Sequence, residues 1–197
     1  MMNRRARIER KTAETSVFLD LNLDGSGKSD LNTGLPFFEH MLDLWCRHGF
    51  FDLIIRAEGD IEVDAHHLVE DTGICLGRSW QEALGQKTGI RRYGFSAVPM
   101  DDALVTAVAD LSGRSWLHYQ LSLPPGSVGT MDAELFEAFW QAFINDGKFN
   151  LHLTMNHGRN KHHIVEASFK AAARALNEAS SVIEGLDQVL STKGKLE

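Results

Sequence analysis

The chain has 197 residues, of which 43% are hydrophobic and 24% charged, and its formal net charge is −7. This composition predicts a globular protein with a sizeable core, excludes long disorder and argues against nucleic-acid binding, which usually needs a basic surplus. No apolar run reaches the roughly 18 residues that a membrane-spanning helix needs, so no membrane association is expected.

The N-terminal segment MMNRRARIERK is charged and lacks the apolar stretch of a secretory signal. Its basic cluster, from Arg4 to Lys11, is predicted to be a solvated or frayed terminus. Because an export signal is absent, we expect a cytoplasmic protein. In that compartment Cys46 and Cys75 would be reduced packing residues and not a disulfide.

The elements that follow occur twice, because the chain is a tandem duplication. Phe37 to Leu53, FFEHMLDLWCRHGFFDL, aligns with Leu135 to Leu151, LFEAFWQAFINDGKFNL, at an offset of 98 residues. Further on, HHLVEDTGICLGRSWQEA aligns with HHIVEASFKAAARALNEA at an offset of 96 residues. We expect one domain, residues 1–197, built of two tandem repeats, 1–92 and 93–197.

Each repeat has the same predicted elements in the same order. Strand-like residues around 16–23 and 103–111 are followed by the turns DGSG and SGR, which suit hairpins. An amphipathic helix comes next and ends at Gly49 or Gly147, a short strand follows, and a long helix then opens with a double histidine. The predicted fold class is α+β, with internally duplicated β-β-α-β-α halves that form an α/β sandwich.

The two double histidines begin the repeated segments HHLVE, residues 66–70, and HHIVE, residues 162–166. In each segment the second histidine and the glutamate are three residues apart, so they share one face of a helix. Adjacent histidines diverge by about 100° on a helix and cannot easily bind one ion together. Each histidine pair is therefore predicted to serve two metal sites, although capping or core histidines bonded to carboxylates are the alternative interpretation.

Internal symmetry suggests how the ligands are grouped. The first ion would be bound by His40, His67, Glu70 and His162. The second ion would be bound by His66, His163 and Glu166. The counterpart of His40 is Ala138, so the second site keeps open positions for water or substrate, as a catalytic metal requires. Imidazole and carboxylate ligands without thiolate suit Mn, Fe, Ni or Zn.

The sequence resembles the imidazoleglycerol-phosphate dehydratases, hydro-lyases of L-histidine biosynthesis that convert imidazole glycerol phosphate to imidazole acetol phosphate. The resemblance rests on R-x-T-x-E-T at Arg10 to Thr15, LDGSG, LPFFEHMLDLWCRHG, DAHHLVEDTG, GIRRYG, PMDDAL, LSGR, GRNKHHIVEASFKAAARAL and STKG, which together span nearly the whole chain. It implies a fold of the ribosomal protein S5 domain 2-like kind. It also implies a homo-oligomeric shell of 24 subunits built from trimers, with two Mn²⁺ ions per active site held between subunits by the ligand groups given above.

The resemblance further implies the roles of residues around these ions. Glu14, within R-x-T-x-E-T, would be the catalytic base, and Glu166 the second catalytic carboxylate. The implied phosphate contacts are Arg92, Arg114, Lys170, Ser191 and Lys193. The substrate ring would lie against the metal ligands, with Asp43 and His48 behind His40 as weaker candidates for contacts there.

The expected reaction uses the two metals as Lewis acids that hold the substrate ring as an imidazolate. That ring expels the adjacent hydroxyl through a diazafulvene-like intermediate, and proton removal from the next carbon gives the enol and then the ketone. Some relatives carry a histidine at the position of Ala138. Because alanine offers no ligand atom, the second ion's coordination is left incomplete here. The histidines without a role in this scheme, predicted to be structural or surface residues, are His118, His152 and His157.

Two other functions fit part of this pattern. A dinuclear metallohydrolase acting on a phosphoester would share histidine and carboxylate ligands, but it usually has more aspartates around the metals. A non-enzymatic metal-binding shell protein would explain the double histidines, but it has no use for Glu14, Arg92, Arg114 and the STKG segment.

Overall fold

The structure, a computed structural model, describes residues 4–196. The elements of the first half are β1 (Arg5–Lys11), β2 (Thr15–Asn22), β3 (Ser29–Asn32), α1 (Pro36–Gly49), β4 (Asp52–Gly59) and α2 (His66–Leu84). The elements of the second half are β5 (Tyr93–Met100), β6 (Ala103–Asp110), β7 (Trp116–Gln120), β8 (Ser127–Val128), β9 (Met131–Asp132), α3 (Glu134–Gly147), β10 (Asn150–His157) and α4 (Lys161–Ser180).

Each half folds into a four-stranded mixed sheet with two helices. The strand orders are β1-β2-β4-β3 and β5-β6-β10-β7, and the strands β8 and β9 form a separate small hairpin. In each sheet the first three strands of the order are antiparallel, whereas the last strand runs parallel to its neighbour. The predicted α+β class and its internal duplication are confirmed. The prediction that DGSG and SGR form hairpins is wrong, because the strands that follow them, β3 and β7, pair in parallel with β4 and β10 and not with the preceding strands β2 and β6.

The N-terminal basic cluster is part of the first sheet, so the prediction of a solvated or frayed terminus is wrong. Ala6 is buried, and Arg5 and Arg7 both form ion pairs of 2.6 Å with Asp20 on the neighbouring strand β2. Arg10 forms an ion pair of 2.8 Å with Asp71 on α2. The charges that suggested a tail are therefore neutralised by acidic partners distant in sequence, which a local pattern does not reveal.

The helices of the two halves pack together and form the centre of the molecule. α2 packs against α3, and α1 packs against α4, so each contact joins one half to the other. Trp45 of α1, Trp80 of α2 and Phe143 of α3 meet there with ring centroids about 6 Å apart, the Trp80–Phe143 distance being 5.9 Å. Within residues 4–196, no helix has both the length and the apolar character needed to cross a membrane.

The glycines at the ends of α1 and α3 have a different role from the predicted one. The left-handed residue after each helix is Phe50 (φ 56°) or Lys148 (φ 52°), not the glycine. A Cβ at Gly49 would lie 2.2 Å from the ring of Phe51, and a Cβ at Gly147 would lie 2.6 Å from the ring of Phe149. Glycine is required at both ends because a buried phenylalanine folds back against the last turn.

Candidate metal and substrate site

Both double histidines lie at the start of a long helix, as predicted. The backbone N–H of His66 donates to Asp64 Oδ1 over 3.1 Å, and the backbone N–H of His162 donates to Asn160 Oδ1 over 3.0 Å. A side-chain acceptor two residues before the first histidine satisfies one of the N–H groups that the first turn of the helix leaves unpaired. The two halves therefore fix their histidine pairs in equivalent first turns.

Three of the predicted metal ligands come together within one chain. His40, His162 and Glu166 offer ligand atoms that all lie within 4.8 Å of one another. Glu166 Oε2 is 3.1 Å from His162 Nε2 and 3.7 Å from His40 Nε2, because α1 packs against α4. Two imidazoles and a carboxylate suit a divalent transition metal, so these three residues could hold one.

This cluster combines members of both predicted ligand groups. His40 and His162 were assigned to the first ion and Glu166 to the second. His162 and Glu166 nevertheless meet, because residues four apart on a helix share a face, as residues three apart do. The other predicted ligands lie elsewhere on the chain, His66 and Glu70 exposed at the start of α2. One chain alone therefore brings together parts of the two predicted groups and completes neither of them.

The carboxylate of Glu166 is buried and has a second basic neighbour. Its Oε1 accepts a hydrogen bond of 2.5 Å from Lys170 Nζ, one helical turn further along α4. Burial raises the pKa of this carboxyl, but the hydrogen bond and charge of Lys170, followed by those of His162, outweigh burial and lower the pKa below its usual value. Glu166 is therefore held as an anion, the form in which it can bind a metal.

A second cluster surrounds His67 and contains Glu14. Asp60 Oδ2 lies 3.1 Å from His67 Nδ1, and Glu14 Oε2 lies 3.7 Å from the same nitrogen. The hydrogen bond with Asp60, and then the charge of Glu14, raise the pKa of the His67 imidazole. Glu14 reaches this position because it is the last of the three residues between β1 and β2.

A third cluster surrounds His163. Asp102 Oδ1 lies 2.6 Å from His163 Nδ1, while Asp102 Oδ2 accepts the backbone N–H groups of Arg159 at 2.7 Å and Asn160 at 3.1 Å. The bond with His163 and then these two N–H groups hold the pKa of the Asp102 carboxyl well below its usual value. Sequence reasoning missed both Asp60 and Asp102, although an alignment of the two hairpins would have placed Asp102 opposite Glu14.

Four of the five predicted phosphate contacts lie together. Arg92, Arg114, Ser191 and Lys193 line one open depression of about 860 Å³. Arg92 Nη1 donates to the Leu190 carbonyl over 2.6 Å and so ties the C-terminal segment to the second sheet. Lys170, the fifth, lies on α4 beside Glu166 and is not among the residues that line this depression.

The weaker candidates have other partners. Asp43 accepts hydrogen bonds from Ser29 Oγ at 2.6 Å and Arg47 Nε at 2.8 Å. His48 lines a separate depression with Arg174, and burial, then the charges of Lys170 and Arg174, lower its pKa. The three histidines without an assigned role are exposed, in agreement with the prediction of surface residues: His118, His152 and His157.

The sequence is similar to those of known proteins of one family. The sequence model of the family described as imidazoleglycerol-phosphate dehydratase matches residues 33–176. The enzymes of that name from Citrifermentans bemidjiense and Shouchella clausii are 53% and 51% identical to the chain over 195 residues, which are 99% of this chain and 100% of each relative.

Two solved structures are similar to the whole fold. The imidazoleglycerol-phosphate dehydratase of Staphylococcus aureus superposes with a TM-score of 0.83 at 36% identity, over 91% of this chain and 99% of its own. The enzyme of Pyrococcus furiosus, solved in complex with (S)-C348, also has a TM-score of 0.83, at 32% identity over 96% of this chain and 100% of its own. The chain therefore belongs to the imidazoleglycerol-phosphate dehydratase family and is a hydro-lyase.

Proposed function

We propose that the chain dehydrates imidazole glycerol phosphate to imidazole acetol phosphate, a step of L-histidine biosynthesis. The observation that carries this proposal is the cluster of His40, His162 and Glu166, whose donor atoms lie within 4.8 Å of one another. The depression that contains Arg92 and Arg114 supports a phosphorylated substrate, because its cationic side chains, Lys193 among them, attract phosphate.

Two divalent ions per active site would be held by the two ligand groups predicted from the sequence. The first group is His40, His67, Glu70 and His162, and the second is His66, His163 and Glu166. When bound, the ions, manganese in our proposal, supply Lewis acidity that favours the imidazolate form of the substrate ring. Since one chain brings together only parts of these groups, each site would be completed by a neighbouring subunit.

Glu14 would be the catalytic base. Once the ring has expelled the hydroxyl and formed a diazafulvene-like intermediate, Glu14 would remove the proton from the next carbon and so give the enol. Its side chain is 56% exposed and lies 3.7 Å from His67, which supports a carboxylate that is open to substrate yet beside a metal ligand. Glu166, the second catalytic carboxylate, is held as an anion by Lys170.

The phosphate would be bound by Arg92, Arg114, Ser191 and Lys193, which line one depression. Lys170 would contribute from the side of Glu166, so that it links the phosphate end of the substrate to the metal ligands. Lysine suits this position because its ammonium group acts as a compact point charge toward both carboxylate and phosphate.

The active protein would be a shell of 24 subunits assembled from trimers in the cytoplasm. The outer face of the second sheet supports association, because it leaves Tyr93 55%, Phe95 62% and Trp116 62% exposed. By contrast, the outer face of the first sheet carries ion pairs such as Arg56–Asp30. Cys46 and Cys75 are free and buried, as a reducing compartment permits.

A dehydration assay tests this function. Purified protein, with and without chelator, is given imidazole glycerol phosphate, and the ketone product is followed by its enol absorbance. We expect turnover that is lost on chelation and restored by Mn²⁺. Release of inorganic phosphate would favour the metallohydrolase, and metal binding without any turnover would favour the non-enzymatic shell protein.

The variant E14Q isolates the proton-transfer step. Removing a positioned general base lowers turnover by about 10²- to 10⁴-fold, so kcat of E14Q should fall by that range while the protein still binds Mn²⁺. An E14Q enzyme with the kcat of the parent chain would remove Glu14 from the mechanism.

A further inference from the structure

The β-hairpins of the two halves place an acidic residue at equivalent positions. Arg5 pairs with Asn22 in the first hairpin and Tyr93 pairs with Asp110 in the second, so both registers are offset by 88 residues (93 − 5 and 110 − 22). Glu14 is the last residue of the first hairpin turn, and its counterpart at 14 + 88 is Asp102, the last residue of the second. The proposed base therefore has a structural equivalent in the other half.

The two acids face equivalent histidines at different distances. His67 and His163 correspond at an offset of 96 residues (163 − 67). Glu14 Oε2 remains 3.7 Å from His67 Nδ1, whereas Asp102 Oδ1 is 2.6 Å from His163 Nδ1. Only Asp102 is in full hydrogen-bonding contact with its histidine, although the glutamate has the longer side chain.

The loop before each histidine helix explains this difference. In the first half Asp60 follows β4, and its carboxylate oxygens lie 3.1 and 3.3 Å from His67 Nδ1. In the second half the corresponding position, 60 + 98, is Gly158, where a Cβ would lie 2.8 Å from Ile164 Cγ1 and 3.0 Å from Ala103 Cβ. Only glycine fits there, so the hairpin acid is the carboxylate that reaches His163.

We propose that Asp60 and Asp102 are positioning residues that accept the Nδ1 proton of His67 and His163. Each ring would thereby be fixed in the tautomer whose Nε2 lone pair can hold a metal. Because Asp60 accepts the hydrogen bond from His67 Nδ1, the carboxylate of Glu14 also remains free to act on the substrate. This inference rests on the proposed function for the role of Glu14, and on the ligand roles of the two histidines.

The first test is the Mn²⁺ affinity of the intact assembly, measured by competition with a fluorescent chelator. Loss of a carboxylate that orients a ligand histidine weakens metal binding by about 10- to 100-fold, which is the result we expect for D60N and for D102N. The control is D64N, which makes the same charge change in the loop of Asp60 and keeps its acceptor for the His66 N–H. D60N with the affinity of D64N would overturn the proposal.

The second test asks whether Asp60 keeps Glu14 away from His67. E14Q in the parent background should leave Mn²⁺ affinity unchanged. In the D60N background Glu14 becomes the nearest carboxylate to His67, so adding E14Q should weaken binding by a further factor of about 2 or more, the coupling usual between neighbouring residues. An equal effect of E14Q in both backgrounds, or no effect in either, would overturn the release of Glu14 by Asp60.

Misfolding of a variant and failure of the proposed function can both be distinguished from a specific loss of Mn²⁺ affinity. Asp102 also binds two backbone N–H groups before α4, so circular dichroism and sedimentation are recorded for every variant. If D102N does not fold, D60N decides, because the side-chain contacts of Asp60 are with His67. Absence of turnover in the parent enzyme would refute the proposed function, whereas unaltered Mn²⁺ affinity in D60N would refute the positioning role alone.

Discussion

Glu166 shows how a single side chain joins two parts of the candidate site. One of its oxygens faces His162 and His40, and the other accepts a hydrogen bond from Lys170. Because the carboxylate is buried, it would be costly without these partners. The same three partners therefore keep the anion stable and hold it at the position where a metal would be bound.

Lys87 is the buried cation that the proposed chemistry does not use. It is 5% exposed, and its Nζ lies 3.4 Å from the carbonyl of Lys148, the residue that follows α3. Burial lowers its pKa, against the charge of Asp110, below the ordinary value of 10.5. The unfolded chain therefore binds a proton at Lys87 more tightly than the folded chain does.

The variant K87M tests whether the pKa of Lys87 is lowered by folding. Below the folded pKa the buried charge costs stability, and this cost disappears as the pH rises through the folded pKa toward the unfolded one. The free energy of unfolding of the parent chain, relative to K87M, should therefore increase between neutral pH and about pH 10.5. Urea titrations at one protein concentration measure this difference in unfolding free energy. If the unfolding free energies of the parent chain and K87M changed in parallel with pH, the prediction would be contradicted. Lys87 has a positive φ of 58°. Methionine adds no backbone strain there relative to lysine, because both side chains are unbranched at Cβ.

At the scale of elements, two glycines set the distance between α2 and α3. A Cβ at Gly73 would lie 2.8 Å from the Phe139 carbonyl oxygen, and a Cβ at Gly77 would lie 2.6 Å from the Phe143 carbonyl oxygen. These neighbours are backbone atoms, which cannot turn aside as a flexible side chain can. The contact between the two halves of the chain therefore depends on glycine at both positions.

G77A is predicted to destabilise the protein although alanine is the better helix former. Overpacking costs about 1–3 kcal/mol, whereas the intrinsic gain of alanine over glycine in a helix is about 1 kcal/mol. The unfolding free energy in urea should fall for G77A, while E82A, an exposed substitution on the same helix, should change it by less than about 0.5 kcal/mol. A G77A protein more stable than the parent chain would show that the helices can separate without loss.

The same elements show what the sequence predicts well and what it does not. α1 and α3 end at the predicted glycines and α2 begins at the predicted double histidine, because the 3.6-residue period, the glycines and the histidines are local signals. β1 was missed because its alternating arginines resemble a basic tail until Asp20 and Asp71 are known to lie opposite them. Ligand types were predictable from HHxxE, but the contact of Asp60 with His67 depends on loop geometry that no spacing rule gives.

At the scale of the whole molecule, the duplication produces two similar sheets with different outer faces. The first is covered by ion pairs, whereas the second exposes Phe95, Val108 and Trp116. An apolar face of this kind is typical of a surface that another subunit covers. Metal ligands that one chain does not bring together point to the same conclusion from a different part of the surface.

Removal of the metal should therefore dissociate the assembly. Ligands contributed by different subunits are linked only while the ion is bound, so chelation is predicted to convert the shell into smaller units, with trimers as the expected species, and added Mn²⁺ to restore it. Analytical ultracentrifugation before and after chelation measures the change. Sedimentation that is unaffected by the chelator would count against shared metal sites.

The most direct measurement for the central claim is the Mn²⁺ content and turnover of the double variant H67N/H163N, purified beside the parent chain. If the paired histidines hold the catalytic ions, the parent protein binds about two Mn²⁺ per chain and dehydrates imidazole glycerol phosphate, while the double variant loses both properties and retains its helical content. A double variant that keeps full turnover, or a parent enzyme that is active with no transition metal bound, would contradict the account.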